Sequence, residues 1–148
     1  MPMSRHILIV CRGNVCRSPM AEAVMRRHLA AAAMELTVAS AGLAAVNGAP
    51  IDPAAERALA AHGFSARTHR ARQLDREELE RCDLVLAMEQ RHVAALLALS
   101  PTLRGKAFLL SRWQDGADIR DPFGRAQDAF ENVYARIESA VCKWRERL

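Results

Sequence analysis

Lysine is almost missing from this chain: 148 residues hold 2 Lys against 19 Arg, and the net charge is only +4. The cations are spread along the chain rather than gathered into a basic stripe, so charge does not favour a nucleic-acid surface. Long apolar runs are missing too. None approaches the roughly 18 residues of a membrane span. Ile7-Leu8-Ile9-Val10 is too short for a signal-peptide core and has no small-residue cleavage pattern behind it. The expectation is a cytoplasmic protein without membrane insertion. Cysteines number only 4, and a chain long enough to build its own core does not use them as a disulfide scaffold. Repeats, linkers and low-complexity tracts are absent apart from abundant alanine. With 51% apolar and 26% charged residues, the composition is that of a globular protein, and the length fits a single domain over residues 1–148.

Strand and helix patterns alternate. Ile7–Val10 reads as a strand buried on both faces. A helix is expected from Ser18, with Pro19 at its first position and Glu22 in its first turn. Ala21, Val24, Met25, Leu29 and Ala32 form its apolar stripe. Thr37–Ser40 reads as a second strand, and Asp52-Pro53 starts a helix that Gly63 stops. Asp83–Met88 is a third strand, Glu89–Leu99 a helix ended by Ser100-Pro101, and Ala107–Leu110 a fourth strand. After the loop Ser111–Gly124, a long last helix is marked by Phe130, Val133, Tyr134, Ile137, Val141 and Trp144. This order predicts an α/β fold, a doubly wound four-stranded parallel sheet with helices on both faces. Ligands of such sheets lie beyond the carboxyl ends of the strands, and the first such end is Cys11.

Between that strand and the first helix runs Val10-Cys11-Arg12-Gly13-Asn14-Val15-Cys16-Arg17-Ser18-Pro19. Cys11 and Arg17 have the C-x5-R spacing of cysteine phosphatases. The spacing alone is weak, since this composition gives about 0.5 such pairs by chance. The context is stronger. A loop closing onto a helix N-terminus turns successive N–H groups into one concavity that suits a phosphate dianion. Gly13 permits positive φ and Asn14 tolerates it. Arg17 can grip two phosphate oxygens through its planar fork. The same positive field favours the thiolate of Cys11. The competing structural reading is a tight turn with a buried cysteine. A zinc site from Cys11, Cys16 and histidines lacks a second Cys/His pair of suitable spacing. Cys82 and Cys142 stand alone and read as small buried hydrophobes.

This segment, with Met20-Ala21-Glu22 after it, resembles the signature of the low-molecular-weight protein tyrosine phosphatases, V-C-x-G-N-I-C-R-S-P; Val15 is the one conservative departure. Ser40-Ala41-Gly42, His69-x-x-Arg72-x-Leu74, Asp83–Met88 and Asp121-Pro122 resemble further family segments. Arg104-Gly105-Lys106 through Trp113 and the last helix look closest to the bacterial branch paired with tyrosine kinases of capsule or exopolysaccharide export. The resemblance implies a hydrolase of phosphotyrosine that needs no cofactor or metal. Cys11 would be its nucleophile, Arg17 the phosphate clamp, and Asp121 the general acid and then base. Arg12, Gly13, Asn14, Val15, Cys16 and Ser18 would line the phosphate loop, with Ser40 and His69 in support. Leu43 and Phe123 would form the substrate walls, and the implied partner is an autophosphorylated bacterial tyrosine kinase.

Phe123 stands where the family often has Tyr, so a ring is kept and its hydroxyl is not. Leu43 stands where some relatives carry an aromatic. Read without the family, Ser18 is a helix N-cap, and Asp115 and Asp118 compete with Asp121 as loop carboxylates. The remaining histidines show no pattern. Cys16, a second thiol in the same loop, suggests a reversible Cys11–Cys16 disulfide. Arsenate reductase chemistry would need further cysteines, and the position seven beyond Cys82 is Glu89. A non-catalytic phosphotyrosine-binding module would need neither nucleophile nor acid.

Overall fold

Alternation along a strand sends Ile7 and Ile9 to one side and Leu8 and Val10 to the other, and all four are buried. In the computed structural model, which describes residues 5–148, they form the middle of β1 (Arg5–Cys11). β1 pairs in parallel with β2 (Leu36–Gly42) on one side and with β3 (Leu84–Ala87) on the other. β4 (Ala107–Leu109) extends the sheet in the order β2-β1-β3-β4. Ile7 and Ile9 pack with α1 (Arg17–Ala31), α2 (Pro53–Ala60) and α5 (Gln127–Arg145). Leu8 and Val10 pack with Leu79 of α3 (Arg76–Arg81) and Leu96 of α4 (Gln90–Leu99). Each such side chain contributes about 1.5–3 kcal/mol on burial, so both faces hold β1 at the centre.

This topology positions the site. The chain winds from β1 outward to β2, crosses back to β3 and continues outward to β4. The loops leaving β1 and β3 therefore part to opposite faces and open a crevice at their carboxyl ends. Cys11 closes β1 there, and Glu89 lies just past the end of β3.

Several element ends differ from the sequence pattern. α1 starts at Arg17 with Cys16 as its N-cap residue, so Ser18 and Pro19 lie inside the first turn and Ser18 does not cap. Pro19 costs nothing there, because the first-turn N–H groups have no intrahelical acceptor anyway. Glu22 falls beyond the first turn and accepts from Ser40 instead. Ala32 follows the helix and is exposed. β2 is longer than Thr37–Ser40, while β3 is shorter than Asp83–Met88 by one residue at each end and β4 shorter than Ala107–Leu110 by its last residue. Glu89 precedes α4 without capping it. α2 starts as its residues dictate: the Asp52 carboxylate accepts from the Ala54 N–H at 2.8 Å, and Gly63 ends the segment at φ +81°. In α5, Tyr134 is the chain's single tyrosine; it is buried, its ring stacked on His62 at 4.1 Å.

Candidate active site

The loop from Cys11 to Ser18 turns its carbonyls outward, and the neighbouring loop meets them. The Leu43, Ala44 and Val46 N–H groups donate to the carbonyls of Cys11, Arg12 and Gly13 at 3.0, 2.8 and 3.1 Å. His69 Nε2–H donates to Asn14 O at 2.7 Å, and Asp52 N–H to Val15 O at 2.8 Å. A trans peptide with its C=O outward has its N–H inward. Among the described residues, no N–H from Gly13 to Ser18 has a protein acceptor. These donors and the N-terminus of α1 together make a concave anion cradle.

Gly42 makes this approach possible, since a Cβ there would lie 2.7 Å from Arg12 O. Gly42→Ala is expected to cost about 1–3 kcal/mol through overpacking and to lower kcat/KM by displacing the loop. Urea denaturation and steady-state kinetics check the two effects; an unchanged midpoint would contradict the close packing.

Asn14 organises the loop from inside. It is fully buried at φ +60°. Its Oδ1 accepts from the Arg72 N–H at 3.0 Å, which fixes the amide orientation. Its Nδ2 then donates to Ser18 Oγ at 2.8 Å and to Ser40 Oγ at 3.0 Å. Each hydroxyl, already accepting, points its own hydrogen elsewhere. Ser40 donates to Glu22 Oε1 at 2.5 Å. Ser18 Oγ lies 2.9 Å from Cys11 Sγ, so its free hydrogen is in reach of the sulfur.

Arg17 is 1% exposed. Its Nη1 donates to Glu89 Oε2 and to Ile119 O, both at 2.7 Å. That leaves the Nε and Nη2 edge toward the cleft, with Nε unpartnered and Nη2 3.6 Å from Asp121 Oδ2. Burial opposes the Glu89 carboxylate, but hydrogen bonds and charge from Arg17, with help from Arg91, hold it below the ordinary carboxylate range. His92 sits against Glu89 at 3.4 Å, and burial followed by the Arg17 charge pushes its pKa down.

A carboxyl with a lowered folded pKa contributes stability that is complete above its unfolded value and lost as pH falls through the folded one. Glu89→Gln is therefore expected to flatten the stability profile below about pH 4.3 and to raise the inhibition constant for phosphate roughly tenfold by loosening Arg17. Denaturation across pH and phosphate inhibition check this. An unaltered acid limb would remove Glu89 from the account.

The cleft above the loop, about 340 Å³, is lined by Cys11, Arg12, Gly13, Val15, Cys16, Arg17, Ala44, Val46, Asp121 and Phe123. Asp121 reaches it because the loop before it is hooked down: Ile119 is buried, and its N–H donates to Met88 O at 2.8 Å. Phe123 is 66% exposed and Val46 56%, two apolar side chains at the mouth. Leu43 is not a wall. It turns toward the core on the α3–α4 face, and Ala44 and Val46 hold the position expected of it. Asp115 pairs with Arg136, and Asp118 accepts from Gln90 N–H, so both carboxylates are engaged elsewhere. Burial, with Asp52 and Asp121 nearby, pushes the Cys16 thiol far up, so it stays protonated. Cys82 lies near His6, at the opposite end of the sheet, about 13 Å or more from Cys11 at strand rise; burial pushes its thiol up to about 11. No arsenate-reducing shuttle joins them.

Glu89 was not legible as a site residue in the sequence. The usable signal was its place just past a strand's carboxyl end, the same edge as Cys11.

The fold and cleft define an α/β phosphatase built around a cysteine loop. The family model described as low molecular weight phosphotyrosine protein phosphatase matches residues 6–148. The low molecular weight protein-tyrosine-phosphatase Wzb of Salmonella typhimurium is 44% identical over 146 residues, 99% of this chain and 95% of that protein. The crystal structure of the Erwinia amylovora tyrosine phosphatase AmsI superposes with a TM-score of 0.92 at 38% identity, covering 99% of this chain and 94% of that one. Vibrio vulnificus Wzb, solved in complex with benzylphosphonate, gives 0.92 at 35% identity, covering 99% and 100%. The chain belongs to the low molecular weight phosphotyrosine protein phosphatase family. It is a protein tyrosine phosphatase with a cysteine-based mechanism.

Proposed function

We propose that Cys11 attacks the phosphorus of phosphotyrosine while the loop N–H groups and the free edge of Arg17 bind the nonbridging oxygens. The P–O bond to the phenol breaks, and Asp121 gives the leaving oxygen its proton. Asp121 then takes a proton from water, which attacks the cysteinyl phosphate, releases inorganic phosphate and restores the thiolate. Ser18 supports that thiolate. Each step uses only protein groups and water. The observation that carries this reading is the convergence of Cys11, the unpartnered N–H groups, Arg17 and Asp121 on one cleft. Benzylphosphonate, held by the Vibrio relative, joins a phenyl ring to a tetrahedral anion as phosphotyrosine does. Here Phe123 at the mouth is placed to stack on such a ring.

Residues 1–148 act in this reading as one catalytic domain, and the substrate is a phosphotyrosine protein. The resemblance of Arg104–Trp113 and the last helix to the branch paired with polysaccharide-export kinases favours an autophosphorylated bacterial tyrosine kinase. A reducing cytoplasm would keep Cys11 as a thiol. The test is rapid acid quench of the enzyme with a ³²P-labelled kinase domain. Phosphate release with transient label on Cys11 is expected; release without labelled cysteine would overturn the mechanism, and an untouched kinase domain with active enzyme would overturn the partner.

Mild peroxide is expected to join Cys11 and Cys16, the two thiols losing their hydrogens as peroxide becomes two waters. Mass spectrometry should find that crosslink, and activity should return with thiol reductant. Cys11 sulfonic acid without crosslink would sink it.

A further inference from the structure

We propose that His28, Glu138 and Cys142 form a binding site for a thiophilic divalent cation of the zinc type, tying the end of α1 to α5. Glu138 and Cys142 stand four apart on α5 and share a face, while His28 comes from the last turn of α1. One donor atom from each lies within 4.8 Å of the other two. His28 Nε2 is 2.9 Å from Glu138 Oε1, Cys142 Sγ is 3.8 Å from His28 Nε2, and Cys142 Sγ is 3.6 Å from Glu138 Oε1. Ligands about 2.0 Å (N, O) and 2.3 Å (S) from a tetrahedral zinc ion are separated by about 3.3–3.6 Å. The cluster therefore needs adjustments of only a few tenths of an ångström.

A second observation points the same way. Glu138 Oε2 is buried without a hydrogen-bond partner, a spare carboxylate oxygen beside the triad. The side chains of His28 and Glu138 are 17% and 33% exposed, so a cation can enter and a water can complete the coordination. Sulfur with imidazole and carboxylate suits zinc and cobalt better than magnesium or calcium. Cys142 was expected to be a buried small hydrophobe; it is half-buried among polar partners instead. Burial and the Glu138 charge hold its thiol up, so it is protonated while the site is empty. Binding releases that proton to solvent, and the hydrogen that His28 Nε2 gives to Glu138 in the empty site moves to Nδ1, which frees the Nε2 lone pair for the cation.

His28 lies eleven residues beyond Arg17 along α1, about 16 Å at the helical rise. The cation would brace two helices without touching the phosphate loop, and spacing rules missed it because its donors come from two distant segments.

The test is titration of Co²⁺ into the reduced protein and into its Cys11→Ser variant, which removes the catalytic thiolate as a competing ligand. A thiolate-to-cobalt charge-transfer band saturating at one equivalent is expected in both. It should vanish in Cys142→Ser and weaken at least tenfold in His28→Ala. Zn²⁺ at a hundredfold excess over its Kd should raise the Tm by roughly 5 °C or more, but not in Cys142→Ser. Unchanged p-nitrophenyl phosphate turnover by metal-free Cys142→Ser would show that this variant folds. No band, or a band lost with Cys11 and kept without Cys142, would overturn the proposal and leave the triad as a hydrogen-bonded tie.

Discussion

Cys11→Ser is expected to lower turnover of p-nitrophenyl phosphate roughly 10⁶-fold, the scale of losing the nucleophile from a covalent mechanism. A hydroxyl at this position has neither the acidity nor the polarizability of the thiol. The partners around it do not depend on sulfur: the N–H groups from Gly13 to Ser18 belong to the backbone, and Arg17 is held by Glu89 and Ile119 O. Inorganic phosphate should therefore still bind within a few-fold of its wild-type affinity, measured by calorimetry. Loss of turnover with retained binding separates the nucleophile from the cradle. Residual turnover within about a hundredfold of wild type would mean that Cys11 is not the attacking group.

Asp121→Asn is expected to lower kcat on a phosphotyrosine peptide about 10²–10⁴-fold, the usual range for a positioned general acid. Tyrosine leaves as a strongly basic phenolate unless it is protonated, whereas p-nitrophenolate is a much weaker base. The loss should accordingly be smaller for p-nitrophenyl phosphate in the phosphorylation step. Hydrolysis of the phosphoenzyme then becomes slow for both substrates, because Asp121 also activates the water, and label should accumulate on Cys11. Equal losses on the two substrates in single turnover would argue against proton donation. Asp115→Asn and Asp118→Asn serve as comparisons, since Arg136 and Gln90 N–H already occupy those carboxylates.

The parts of the site that could be read in the sequence are those set by local chemistry. A β-branched apolar run, a glycine, an asparagine at positive φ and an arginine at fixed spacing lie within one short stretch, and each constrains its neighbours. The parallel sheet followed from alternation of strands and helices for the same reason. What escaped was set by tertiary partners. α3 has one buried apolar residue, Leu79, among Arg and Glu, so no periodic stripe announced it; Asp75 as its cap was the available signal. Leu43 turned inward because its loop supplies N–H groups to the phosphate loop, which settles which side chains reach the mouth. Glu89 acquired its role from Arg17, 72 residues away, and no local pattern encodes that pairing.

Tyr134 has a consequence for the enzyme's own chemistry. The chain holds a single tyrosine, and that ring is packed between helices and stacked on His62, while the mouth of the cleft carries Phe123 in place of a phenol. A tyrosine kinase meeting the mouth of the cleft finds a ring there without a hydroxyl to modify. The rim of the cleft therefore offers a kinase no phenol through which to act on the entrance directly, and any mark on Tyr134 would first have to separate its ring from His62.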